Sequence, residues 1–275
     1  MMTVQQSFKT LENRVTRTSE NDYFIADCLF GKDSMAMLKV CIDKGYPIDE
    51  VNYVRMMYDE NRSAEYPIHY RFIEEIGIPY VTEVLGLKFK SLEGPTYKDI
   101  VMKIVSKGPR TGDHFGYPQR KCPRCNSVMK VAVINRHNSE LKRLGYTVKH
   151  YVGIAADEKK RVARGVRTGY IMPLAIEGIT EKDAFTICRK EGILSPIYED
   201  ALFNRIGCWF CPHSTINQLK YVWKTSPDLF RSLIELDNYS KFKFHPPYTA
   251  TDLLNKFESE SVEQKTLFEV SEVKA

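Results

Sequence analysis

Apolar residues along the chain alternate between short unbroken runs and stripes at helical spacing. Tyr23–Leu29 is such a run and reads as a strand. From Ser34 to Lys44 the apolar residues Met35, Leu38 and Ile42 return on one helical face, and Gly45 and Pro47 stop the helix. Val51–Met57 reads as a second strand, Ala64–Ile76 as a second helix ended by Gly77, and Tyr80–Val84 as a third strand. Thr147–Ile154 supplies a fourth. Strand–helix–strand units at this spacing predict an α/β fold: a parallel twisted sheet with helices on both faces and right-handed crossovers.

Outside these units the pattern changes. Residues 1–22 are polar, with Phe8, Leu11 and Val15 at helical spacing, and form an expected N-terminal helical extension. Residues 85–125 form an irregular, Gly- and Pro-rich insertion with one helical stretch at Tyr97–Val105. Cys125 opens a helix with Val128, Val131, Ala132 and Ile134 as its apolar stripe. Thr180–Lys190 is a helix begun by the capping pair Thr180 and Asp183, and Ser214–Trp223 and Asp228–Tyr239 are further helices. The expected organisation is an α/β domain over 23–215, C-terminal helices over 216–257 and a flexible acidic tail over 258–275.

Composition adds little to this. The 275 residues are 43% hydrophobic and 27% charged, as in ordinary soluble proteins. No apolar run reaches the length of a membrane span, and the first residues lack a signal-peptide core, so a cytoplasmic protein is expected. A net charge of +5 permits an anionic ligand without demanding nucleic acid.

Candidate chemistry begins where the first strand ends. The turn Phe30-Gly31-Lys32-Asp33-Ser34 leads into the helix, and a helix start gathers free N–H groups and partial positive charge, which suits a phosphate. Gly31 lets the backbone approach, Lys32 offers a charge, Asp33 a metal or hydroxyl contact, and Ser34 a hydroxyl and an N-cap. Neither G-x-x-x-x-G-K-[ST] nor G-x-G-x-x-G is present at this turn, which excludes the P-loop and dinucleotide motifs. At the carboxyl ends of the other strands lie Asp59 and Glu60, and then Asp157 and Glu158. The run Lys159, Lys160, Arg161, Arg164 and Arg167 follows, with an expected anion-binding role.

Four of the seven cysteines form two C-x-x-C pairs, Cys122/Cys125 and Cys208/Cys211. In a reducing compartment such pairs favour metal or redox chemistry, and four thiolates at one centre suit Zn²⁺ or an iron–sulfur cluster. Cys28, Cys41 and Cys188 sit in apolar contexts as core residues.

The turn resembles the second half of the Ser-Gly-Gly-x-Asp-Ser pyrophosphate loop (PP-loop) of the adenine-nucleotide α-hydrolase superfamily and its phosphoadenosine phosphosulfate (PAPS) reductase branch. Leu29 and Phe30 stand where that loop has a Ser and a Gly. Further collinear blocks resemble the same branch: Tyr151–Arg161, Pro173–Ala184, Gly192–Tyr198 and Arg205–Pro212. The resemblance covers roughly residues 23–215 and implies a PP-loop (HUP-like) fold that binds ATP with Mg²⁺. Lys32, Asp33 and Ser34 would then be catalytic. Phe30, Gly31, Asp59, Glu60, Asp157, Glu158, Arg161 and Arg164 would complete the nucleotide site. Cys122, Cys125, Cys208 and Cys211 would hold [4Fe-4S] or Zn²⁺.

True reductases of the branch carry a catalytic Cys in a C-terminal tail, and here no Cys follows Cys211. The resemblance therefore points to an ATP-dependent sulfurtransferase, with a nucleic acid as one candidate acceptor and a protein as sulfur donor. Two alternatives stand beside it. One is a non-catalytic nucleotide- or nucleic-acid-associated module with a structural metal. The other is a sulfonucleotide reductase that borrows a partner's thiol.

Overall fold

The computed structural model describes residues 14–121 and 123–272. In chain order the elements are β1 (Asp22–Asp27), α1 (Lys32–Asp43), β2 (Glu50–Arg55), α2 (Pro67–Phe72), β3 (Phe89–Glu93), α3 (Tyr97–Met102), α4 (Ala132–Arg143), β4 (Thr147–Val152), α5 (Lys159–Thr168), α6 (Pro173–Ile176), α7 (Glu181–Lys190), α8 (Ile216–Thr225), α9 (Pro227–Asp237) and α10 (Ala250–Glu272). The chain gathers into two compact units. Met1–Arg55, Pro67–Glu93 and Lys130–Ile206 form the first; Met56–Tyr66, Gly94–Met129 and Gly207–Ala275 form the second. Segment 207–215, expected with the sheet, belongs to the second unit. The expected N-terminal helix over 1–22 lies largely outside the described residues.

The first unit is the expected α/β layer structure. Its sheet runs β3-β2-β1-β4 and every pair is parallel, with Asp27 level with Asn52 on β2 and Val152 on β4. Side chains alternate across β1. Phe24, Ala26 and Cys28 pack with Met35 and Leu38 of α1 and Ala184 and Cys188 of α7. On the other face, α4 meets the sheet through polar contacts. His137 Nε2 lies 2.6 Å from Glu50 Oε1, and Asn138 Oδ1 lies 3.0 Å from His150 Nε2.

Three predicted elements change. Tyr80–Val84 is not a strand. After α2 the helix continues through wide π-turns at Ile73–Gly77 and Tyr80–Val84, and the third strand is Phe89–Glu93. Ile73, Gly77, Tyr80 and Val81 are buried at helical spacing, so burial overrides the β-branched composition. The wider turns accommodate Pro79, which lacks an N–H to donate. The irregular insertion therefore begins after β3 and not at residue 85. Ahead of and along α4, the buried residues are Met129, Val133, His137 and Leu141, while Val128 and Val131 are exposed. His137 counts as polar in a pattern, but its pairing with Glu50 turns that face inward. The basic run 159–168 is the helix α5, ended by Gly169 at φ +83°.

The second unit has an aromatic centre. The Tyr97 and Phe210 rings lie 4.1 Å apart, and Tyr58 meets Trp209 at 4.9 Å and Phe210 at 5.5 Å. Trp209 is tied by its backbone N–H to Ala64 O (3.0 Å) and by its indole to Ser63 O (2.9 Å). The two expected C-terminal helices appear as α8 and α9, with Thr215 and Gln218 forming the capping box of α8. Residues 258–272, expected as a flexible tail, continue α10. No helix among the described residues is long and apolar enough to cross a membrane.

Candidate functional site

The chain passes from β1 outward through β2 and β3, then returns to place β4 on the other side of β1. Such a switch point opens a crevice at the carboxyl ends of the two central strands. The turn after β1 and the turn after β4 meet there. An added Cβ at Gly153 would lie 2.8 Å from the Asp33 carbonyl and from the Ser34 nitrogen, so only glycine allows this approach.

Phe30 holds the turn. Its φ of +58° is unusual for a residue with a side chain and costs about 1–2 kcal/mol. The cost is offset by burial, since the ring is fully enclosed and meets Tyr53 edge-on at 5.2 Å. It lies over Gly77, where an added Cβ would come 2.5 Å from Phe30 Cδ1. Phe30, expected in the nucleotide-binding set, thus anchors the loop and does not present its ring to a ligand. Ser34 also changes role. α1 begins at Lys32 with Gly31 as N-cap, and Ser34 Oγ donates back to Gly31 O at 2.9 Å.

Lys32 is only 3% exposed. Its ammonium lies 2.8 Å from both Asp33 carboxylate oxygens, 3.6 Å from Glu181 Oε2 and 5.3 Å from the Phe185 ring centre. Its backbone N–H donates to Tyr198 Oη at 3.3 Å. Burial raises the Asp33 carboxyl, the Lys32 ammonium opposes that shift, and weaker effects of Glu158 and Arg161 place them in electrostatic range. Glu158 accepts from Ala155 N at 3.2 Å and pairs with Arg161. Asp157 Oδ1 accepts from Glu181 N at 3.1 Å, which ties the β4 turn to the start of α7.

The structure therefore brings Lys32, Asp33, Ser34, Glu158 and Arg161 together, with Asp157 fixed in the adjoining turn and Arg164 exposed on α5. Asp59 and Glu60 belong to the second unit. The Asp59 carboxylate is committed to its own turn, accepting from Asn61 N, Arg62 N and the Arg62 guanidinium, and Glu60 is exposed. The thiols beside the loop are inert. Burial pushes Cys28 up to about 11 and Cys188 up to about 12, so both stay protonated at neutral pH.

Cys125, Cys208 and Cys211 all fall in the second unit and are partly buried; Cys122 lies outside the described residues. Among the described residues no group of three His, Cys, Asp or Glu side chains is assembled to hold a metal. The donor chemistry does fit one. Burial raises the Tyr97 phenol, and weaker effects of Cys125, Tyr58, Cys211 and Cys208 put both C-x-x-C segments within its electrostatic range. Thiolates of this kind suit zinc or an iron–sulfur cluster.

No family model matches the chain, and no curated protein matches it. Twelve chains of solved structures do. One is the U34-tRNA thiolase NcsA from Methanococcus maripaludis with its [4Fe-4S] cluster, 14% identical, covering 93% of this chain and 78% of that one, with a TM-score of 0.42.

Sequence reasoning did not single out Glu181, Phe185, Tyr198 or Gly153. Tyr198 had a signal, because it closes the Gly-Ile-x-x-Pro-x-Tyr block. Gly153 had none, since nothing local shows that a second turn will pack against Asp33.

Proposed function

We propose that the chain binds ATP at the turn after β1 and acts as a PAPS-reductase-like, ATP-dependent sulfurtransferase (an ATP pyrophosphatase) with a four-cysteine metal centre. The observation that carries this reading is the buried, ion-paired Lys32 at the start of α1, on a switch-point turn whose shape Phe30 holds. Phosphate oxygens would meet the first N–H groups of α1, and Lys32 would exchange Asp33 for phosphate. Asp33, released from Lys32, would hold Mg²⁺ with Asp157 and Glu158; the cation offsets the charge of the leaving pyrophosphate.

In this reaction an acceptor oxygen attacks the α-phosphorus and pyrophosphate departs. Sulfur then displaces AMP, which carries off the acceptor's oxygen. Arg161 and Arg164 line the approach to the anionic groups. Cys122, Cys125, Cys208 and Cys211 would hold the metal centre, which supplies a thiolate-bound site for sulfur when loaded.

The inert Cys28 and Cys188 thiols disfavour direct reduction of a sulfonucleotide at this loop. A nucleic acid is the acceptor class we favour, with a protein as sulfur donor. Two neighbouring cavities of the second unit, of about 260 and 200 Å³, share Pro118 and Gln119 as walls. The Arg124 and Arg110 guanidiniums lie over the Phe115 and Phe242 rings, 4.0 and 4.6 Å from their centres. Guanidinium–aromatic walls beside apolar slots suit an unpaired base and its phosphate.

Calorimetric titration with ATP and with PAPS, on native protein and on Asp33→Ala, tests the reading. ATP binding that is lost in the variant, with AMP and pyrophosphate formed when an acceptor is supplied, is expected. Binding of PAPS alone would overturn it. Binding of ATP without cleavage under any acceptor would favour a nucleotide-binding module, a second reading that the closed Lys32–Asp33 pair supports.

A further inference from the structure

Tyr97 opens α3 and is held on every side. Thr96 and Asp99 form a capping box around it, and its backbone N–H donates to Met57 O at 2.9 Å. Its ring lies against Phe210, within the Cys208–Cys211 segment, and against Tyr58 at 6.1 Å. The residue is fully buried, yet its hydroxyl has no hydrogen-bond partner among the described residues. Leaving a buried hydroxyl unpaired costs roughly 1–3 kcal/mol, so native proteins give such groups an acceptor. Two other buried phenols of this unit obey that rule: Tyr58 donates to Ser232 O, and Tyr117 reaches Leu233 O and Asp237. Phe210, against which the ring lies at 4.1 Å, sits between Cys208 and Cys211, and Cys125, Cys211 and Cys208 are in electrostatic range of the phenol. A neutral thiol is a weak acceptor, and a metal-bound thiolate is a good one.

We infer that Tyr97 is a positioning residue whose hydroxyl donates a hydrogen bond to a cysteine sulfur of the loaded metal centre. This rests on the four-cysteine centre proposed above. An O–H···S bond withdraws charge from the sulfur. It thereby favours the reduced state of an iron–sulfur cluster and fixes the orientation of the ligating loop. The rigid ring stack holds the donor in place whether or not metal is present.

The test uses the full chain, reconstituted anaerobically with iron and sulfide, as native protein and as Tyr97→Phe. Metal content and midpoint potential are measured on both. Equal cluster loading with a more negative potential in Tyr97→Phe is expected. Placing 3,5-difluorotyrosine at position 97, a stronger donor, should move the potential the opposite way. It also keeps the test open if the phenylalanine variant does not fold. If the centre takes zinc instead, the cobalt-substituted form gives the same reading. Its thiolate-to-metal charge-transfer band should move to lower energy in Tyr97→Phe.

Loading without any shift of potential or band in these variants would overturn the role of Tyr97 and leave the metal centre standing. Failure of the native chain to hold iron, zinc or cobalt stoichiometrically would overturn the centre itself, and this inference with it.

Discussion

The turn after β1 and the cysteine segments handle buried polarity in opposite ways. Around the turn, Lys32 has Asp33 and Glu181, and its backbone N–H has Tyr198. The site is closed on itself, and a ligand must displace partners to enter. Around the cysteines, the Tyr97 hydroxyl has no partner among the described residues. A self-satisfied site implies a ligand that competes for its contacts, and an unsatisfied one implies a ligand that completes them.

The sharpest way to break this comparison is to open the ion pair. Asp33→Asn leaves Lys32 nearly fully buried with only the more distant Glu181, and should cost about 3 kcal/mol in chemical denaturation. An effect near zero would mean that water already reaches the pair. Glycines give the next largest contrast. Gly153→Ala forces a Cβ into the backbone at Asp33 and Ser34 and should destabilise by about 1–3 kcal/mol. Gly207→Ala, beside Cys208, meets open space and should stay within about 0.5 kcal/mol. Equal costs at the two positions would remove the distinction between a tightly closed turn and an open one.

Acid should act on the first unit through His69. This ring is fully buried, with Nδ1 2.9 Å from Ser195 Oγ, and burial lowers it to about 4. The unfolded chain takes up this proton near 6.5, while the folded chain takes it up only near 4. Stability from this group is therefore complete above pH about 6.5 and falls as pH drops toward 4. Urea midpoints at pH 7 and 4.5 should differ less in His69→Gln than in the native chain. The smallest effect expected is at Arg161→Ala. Its half-exposed pair with Glu158 should leave stability within about 0.5 kcal/mol, while ATP affinity falls measurably in the same protein.

Periodicity sufficed for most of the sheet unit. β1, β2, β4, α1 and α7 lie within a few residues of their expected bounds, because each buries one kind of face. It misled at Tyr80–Val84, where β-branched residues sit in helix, and at α4, where His137 is a core residue by virtue of Glu50. The loop residues, Glu158 and Arg161 were legible as neighbours, because both turns follow adjacent parallel strands. Asp59 was not, because a carboxylate after a strand looks alike whether it faces a ligand or caps its own turn with Arg62. Tyr97 was invisible in the sequence. Only the fold sets an aromatic residue near position 100 against Phe210, between the cysteines at 208 and 211.

The Phe30–Gly77 contact also constrains how this chain can change over generations. With a bulky ring at position 30, any side chain at position 77 collides with it, so the second position is locked by the first. Replacing Phe30 with glycine would relieve the backbone and open a void that no neighbour is shaped to fill. The two sites must move together, through a smaller residue at 30 before anything larger at 77. The two positions are thus coupled, and a change at 77 alone is costlier than the same change made after position 30 has shrunk.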